Sequence, residues 1–126
     1  MNKLVLLVVV VLLAGIAGFA FLGKEKVQQF DSAKQSVHVE LGESGFEPRE
    51  VTIIQGGTVT FTTTMDKPFW PASNLHPSHS IYSEFDPLRP LESQETWKFT
   101  FNRVGSYNFH DHIRSYFTGV IHVVAK

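Results

Sequence analysis

Hydropathy divides the chain into two unlike parts. Leu4 to Leu22 carries no charge and is mostly Leu, Val, Ala, Gly and Phe, with Lys3 before it and Lys24, Glu25 and Lys26 after it. Beyond it the apolar residues recur at every second position in short stretches, the signature of half-buried strands, and no extended 3.6-residue period occurs. Val37, Val39 and Leu41 alternate with polar residues, and residues 42–45 read as a turn. Val51 and Ile53, then Thr58 to Thr62, form two runs separated by Gly56-Gly57. Thr96 to Phe101 alternates cleanly, Gly105 opens a run from Tyr107 to His112, and Val120 to Val124 follows. Several short strands between turns predict an all-β sandwich or barrel.

Asp66 to Pro90 breaks this pattern. It holds Pro68, Pro71, Pro77, Pro87 and Pro90. Proline lacks a backbone donor and resists strand interiors, so the stretch predicts a long irregular loop, a kind of segment that often carries function. His76 and His79 lie in it.

The uncharged N-terminal run is long enough to cross about 30 Å of hydrocarbon as a helix rising about 1.5 Å per residue. Ala14, Ala17, Gly18 and Ala20 also offer the small residues of a signal-peptide cleavage site. Residues 1–23 therefore read as a signal anchor or a signal peptide, 24–35 as a polar linker, and 36–126 as one folded domain. Both readings place the domain outside the cytoplasmic membrane, tethered to it or, after cleavage, secreted. Positive charge flanks both ends of the run, so charge bias does not fix its orientation.

Composition narrows the chemistry. The 126 residues carry a formal net charge of −1, which argues against a nucleic-acid partner, since phosphate binding needs a basic patch. Cysteine is absent, which removes disulfides, thiolate nucleophiles, Fe–S clusters, Cys-ligated zinc and a lipoprotein anchor. No nucleophile–His–carboxylate order, phosphate loop or paired-carboxylate spacing stands out.

The chain after residue 36 resembles the cupredoxins, single-domain copper proteins built as Greek-key β-sandwiches. The resemblance is carried by Gly45-Phe46-Glu47-Pro48 leading into Val51-Thr52-Ile53, then Gly56-Gly57-Thr58-Val59-Thr60-Phe61. It continues in Gly105-Ser106-Tyr107-Asn108-Phe109-His110-Asp111 and Gly119-Val120-Ile121-His122-Val123. The family's blue site uses a Cys, two His and often an axial Met. Here Asp111 takes the place of the Cys, Arg114 that of the C-terminal His and Phe117 that of the Met, while His76 matches the remaining His. Copper–thiolate bonding defines the blue site, so the resemblance implies the frame without that centre. A second resemblance, to multicopper oxidases, rests on His76-Pro77-Ser78-His79 and His110-Asp111-His112-Ile113, which look like His-Pro-x-His and His-Cys-His-Ile with Asp for Cys. Two further oxidase histidines are replaced, by Ile81 and Tyr116. The Trp70-Pro71-Ala72-Ser73 segment, taken with both His motifs, is also similar to bacterial cupredoxin-domain proteins.

Strand parity sharpens the reading of the histidines. Side chains alternate faces, so Tyr107, Phe109 and Asp111 share the core side, and Asn108, His110 and His112 share the other. Imidazoles two residues apart, with Cβ atoms roughly 6–7 Å from each other, can converge on one ion. Copper suits such a donor set, with zinc as the alternative. One arrangement gathers His79 with His110 and His112; a second pairs His76 with Asp111; a third uses His76, His79, His110 and His112 together. Asp111 is open to three roles: metal ligand, outer hydrogen-bond partner of a ligand, or half of an ion pair with Arg114 or Arg89 that fills the old copper pocket. Against these stands the plainer reading of a polar strand face and loop hydrogen bonds. His38 and His122 sit among valines and read as surface or cross-strand residues. Trp70, Tyr82, Phe85, Tyr116 and Phe117 read as packing around the motifs, and Glu84, Asp86 and Arg89 as loop caps or mutual pairs.

Three functions follow from this. The first is a membrane-tethered extracytoplasmic copper-binding module with a His-rich, non-blue site, for copper handling or redox. The second is a metal-free structural or interaction domain, with a membrane protein as partner. The third is a copper oxidoreductase assembled as a homo-oligomer.

Overall fold

The computed structural model describes residues 34–126. The predicted anchor and the linker up to residue 33 lie outside the described residues. Among those described, no helix is long and apolar enough to cross a membrane.

Seven strands make the described fold: β1 (Lys34–Gly42), β2 (Gly45–Glu47), β3 (Glu50–Thr63), β4 (Pro71–Ser73), β5 (Trp97–Phe101), β6 (Gly105–Asp111) and β7 (Thr118–Val124). β1 takes in Lys34 and Gln35, the last two residues of the polar segment read as linker. The strands run in the order β2-β1-β3-β7-β6-β4, with β5 on β3. β1 lies parallel to β3, and β3 parallel to β7, so the chain crosses between layers and does not meander.

The two runs expected on either side of Gly56-Gly57 are one strand. β3 bends at these glycines and serves both layers of the sandwich. Its first part pairs with β7 from Glu50 to Ile54, its second part with β5 from Gly57 and with β1 from Thr58, and β1 shifts register to reach back from Lys34 to Ile53. Gly56 has φ +82°, a conformation that costs other residues, and a Cβ on Gly57 would lie 2.8 Å from the Ile54 carbonyl oxygen. The double glycine is therefore a corner and not a reversing turn. The turn at residues 42–45 does reverse the chain: Gly42 faces Gly45 and Leu41 faces Phe46 across β1 and β2.

Alternation places the apolar residues as expected. Val39, Leu41, Val51, Ile53, Val59, Phe61, Phe109, Ile121 and Val123 are buried, and Trp97 and Phe99 pack against them. Gly119 is needed where β7 passes β6, because a Cβ there would meet the Phe109 ring at 2.5 Å. The Pro-rich stretch is irregular apart from the three residues of β4. It nevertheless contributes Phe69, Tyr82 and Phe85 to the core, and Leu91 joins them just beyond it. Full burial of a ring such as Phe69 or Phe85 stabilises by about 1.5–3 kcal/mol, enough to hold the loop against the sandwich.

Candidate metal centre

β4 and the register of β6 bring the two histidine motifs together. Pro71 faces Asp111, Ala72 faces His110 and Ser73 faces Phe109. The loop leaving β4 therefore starts beside His110. It is held there by Asn74 N–H on the Asn108 carbonyl, Ser73 N–H on the Phe85 carbonyl and Tyr82 N–H on Ser73 Oγ. Past the end of β6, His112 N–H bonds the Trp70 carbonyl at 2.7 Å, which fixes the second strand histidine against the loop's entry. His79 sits in the left-handed region, with φ 53°. A non-glycine residue held there costs about 1–2 kcal/mol, and the packing around it supplies the compensation.

His76, His79, His110 and His112 converge, each offering a ring nitrogen within 4.8 Å of the others. His79 and His110 are buried, His112 is half-buried and His76 is exposed. His76 Nδ1 lies 3.1 Å from His110 Nε2, and His79 Nε2 lies 2.8 Å from His112 Nδ1. The third sequence arrangement, all four histidines in one group, is the one the structure builds.

The buried pair is oriented from behind. His110 Nδ1–H donates to Asn74 Oδ1 at 3.0 Å, and His79 Nδ1–H donates to Asp86 Oδ2 at 2.5 Å. Each bond fixes the tautomer and leaves an Nε2 lone pair pointing into the group. Asp86 also accepts from the Trp70 indole N–H at 2.8 Å and from Leu88 N–H at 2.8 Å. Burial alone would raise the Asp86 carboxyl, but the hydrogen bonds from His79, Trp70 and Leu88 outweigh it and hold it below the usual range. The Trp70 ring rests on His112 with centroids 4.5 Å apart.

Burial, followed by the neighbouring imidazoles His79 and His76, pushes His110 down to about 4. The same causes lower His112. Both rings are therefore neutral at pH 7 and have lone pairs to offer. A set of four imidazoles, two with their outer nitrogens bonded to a carboxylate and an amide, fits a borderline-soft transition metal such as copper.

Asp111 stands apart from this group, so the pairing of His76 with Asp111 is not formed. Parity sends the Asp111 side chain to the core side of β6, where it is fully buried. Arg114 Nε donates to its Oδ2 at 2.7 Å, and Trp70 N–H to its Oδ1 at 2.7 Å. Arg114 also donates to the Pro68 carbonyl. Of the readings open to Asp111, the structure displays the ion pair, and its partner is Arg114; Arg89 pairs with Glu95 instead. His38 bonds Thr62, and His122 bridges Ser106 and Glu50 across strands, as their positions predicted. Sequence reasoning passed over Asn74 and undervalued Asp86. The signal available for Asp86 was a carboxylate near His79 in a loop whose histidines needed their second nitrogens satisfied.

No protein-family model matches the chain, and no curated protein matches its sequence. Solved structures do match. A purple cupredoxin from Nitrosopumilus maritimus is similar with a TM-score of 0.60 and 19% identity, over 69% of this chain and 98% of that one. A reduced amicyanin variant gives 0.60 and 18%, over 70% and 81%. A copper-containing nitrite reductase from Thermus scotoductus SA-01 gives 0.56 and 22%, over 70% of this chain but 22% of that one. At such identities the likeness establishes the fold. The described domain thus has the cupredoxin fold, without the cysteine of a blue-copper site and with a cluster of four histidines on the opposite face of β6.

Proposed function

We propose that this protein is a copper-binding cupredoxin-like module with a non-blue, all-histidine site, held outside the cytoplasmic membrane for copper handling or redox. The observation that carries the reading is the convergence of His76, His79, His110 and His112, with the outer nitrogens of the two buried rings already bonded to Asn74 and Asp86. The neighbours whose names include a metal are copper proteins, and nothing in the cluster favours zinc over copper. The tether and the location rest on the uncharged run from Leu4 to Leu22.

His79 and His110 would hold the ion through Nε2, and His76 and His112 would complete the set from the open side. Bound there, copper supplies an ion that cycles between two oxidation states and exchanges with small ligands. The chain's own work is orientation and exclusion: Asp86 and Asn74 fix two rings, and Trp70 shields the His112 side.

A metal-free interaction domain is the second reading, favoured by the Asp111–Arg114 pair, which fills the position of the family's thiolate. Copper loading separates the two. The full chain in detergent micelles is given Cu(II), freed of excess by gel filtration and examined by EPR. A stoichiometric type 2 signal with nitrogen coupling, abolished in a His110→Ala, His112→Ala variant, supports the copper site. Protein that emerges folded and copper-free would establish the interaction domain instead.

A further inference from the structure

The outer face of β3, β7 and β6 carries a second polar site beside the histidines. Parity and register set Glu50, Val120 and Asn108 in one row, and Thr118 next to His110 in the next. Over this face lies a cavity of about 490 Å³, walled by Arg49, Asn74, Asn108 and Thr118 among others. A smaller hollow of about 150 Å³ opens on the other side of Arg49 and Thr118 and is bounded by Tyr116 and Phe117. Arg49 and Thr118 line both spaces.

The lining carries one cation, Arg49, one carboxylate, Glu50, and two side-chain amides, Asn74 and Asn108. Arg49 Nη2 donates to Thr118 Oγ1 at 3.2 Å, and among the described residues the guanidinium has no carboxylate partner. The Asn74 side-chain oxygen Oδ1 accepts from His110 Nδ1–H, which leaves the NH₂ group of this cavity-lining residue as a donor without a partner among the described residues. The Asn108 side-chain amide has no partner among the described residues and lines the same space. The one carboxylate present, Glu50, bonds His122 through Oε1 at 2.6 Å. A guanidinium without a carboxylate partner, beside two side-chain NH₂ groups able to donate, suits a planar oxyanion. Tyr116, largely exposed, and Phe117 give the smaller hollow, which Arg49 also lines, an apolar wall.

We propose that this groove binds a small organic carboxylate. The carboxylate group lies on Arg49 and Thr118, within reach of the amides of Asn74 and Asn108, and the apolar body lies against Tyr116 and Phe117. The site exists independently of any metal. Asn74 links it to the histidine cluster, because one amide faces both.

The test uses the full chain in detergent micelles, stripped of metal by chelation, and ¹H–¹⁵N spectra that include side-chain amides. Benzoate, acetate and inorganic phosphate are the probes. Benzoate should shift the Asn74 and Asn108 side-chain amides saturably, and Arg49→Gln should weaken it roughly tenfold or more. Tyr116→Ala, at an exposed position, should weaken benzoate and leave acetate unchanged, whereas Glu50→Gln should tighten both by removing the opposing charge. A spectrum of Arg49→Gln unchanged away from the groove shows that the variant folds. Three results would each overturn the proposal: shifts that grow linearly with benzoate, equal binding by Arg49→Gln, or phosphate displacing benzoate at equal concentration. Because no copper is present, failure here leaves the copper reading intact, and failure of copper binding leaves this one intact.

Discussion

On the core side of β6, Asp111 is closed off: its carboxylate is fully buried, and Arg114 and the Trp70 N–H satisfy it. On the other side of the same strand, His110 and His112 meet His76 and His79, and two Nε2 lone pairs point inward with only other imidazoles to receive them. One-residue alternation separates the two, as it must on an extended strand. Charge has been neutralised within the protein on the core side of β6, and donor capacity has been left open on the opposite face. A buried polar group that is satisfied internally contributes to folding, whereas a cluster of lone pairs without a cation offers a site.

The sharpest way to break this comparison is to remove the open side. Replacing both His110 and His112 by Ala should weaken copper at least about a thousandfold, equivalent to about 4 kcal/mol, by isothermal titration against a competing chelator. The domain should still unfold cooperatively, since the core of Phe61, Phe85, Phe101 and Phe109 lies elsewhere. Retention of wild-type affinity would place the ion outside the cluster.

Removing the closed side should do the reverse. Asp111→Ala strands the Arg114 guanidinium, itself largely buried, and orphans the Trp70 N–H, a loss of about 3 kcal/mol or more in urea unfolding. On the copper reading, the folded fraction should bind copper with the affinity of the unsubstituted protein. An Asp111 variant that keeps its stability and loses copper would reverse the assignment of the two faces.

A smaller effect separates the ligands from their supports. Asp86→Asn keeps the shape but accepts from His79 more weakly and no longer fixes its tautomer by charge, so copper affinity should fall roughly ten- to a hundredfold. The Trp70 indole, bonded to the same carboxylate and resting on His112, reports the change through its fluorescence. Asp86→Asn with unchanged affinity would reduce the carboxylate to a loop cap.

These sites were legible in the sequence to different depths. Period-two alternation located β1, β5, β6 and β7, and it also sent Asp111 and the two strand histidines to opposite faces, because parity is a local property of the chain. Gly56-Gly57 misled, since a corner inside one strand and a reversing turn draw on the same residue. β4 was not visible at all. Three residues containing a proline carry no period, and their pairing with β6 is decided by partners some forty positions away. The same reason hid Asn74 and Asp86. Their roles depend on how the Pro-rich loop folds back, which its buried Phe69, Tyr82 and Phe85 determine through long-range packing.

The last predicted effect comes from acid. In the metal-free protein His110 is lowered to about 4 by burial first and by its imidazole neighbours second, against an ordinary value near 6.5. Between these values the unfolded chain binds the proton and the folded chain does not, so stability rises with pH across that window. The contribution is complete above about pH 6.5 and is lost as pH falls toward 4; His112, lowered in the same direction, adds to the slope. Urea midpoints of the metal-free protein should therefore decline from pH 7 to pH 4.5. Replacing His110 with Gln, which keeps a polar side chain of similar reach but cannot titrate, should flatten that decline. A decline unchanged in His110→Gln would mean that groups outside the histidine cluster govern acid stability, and the open face of β6 would then matter less to folding than its burial indicates.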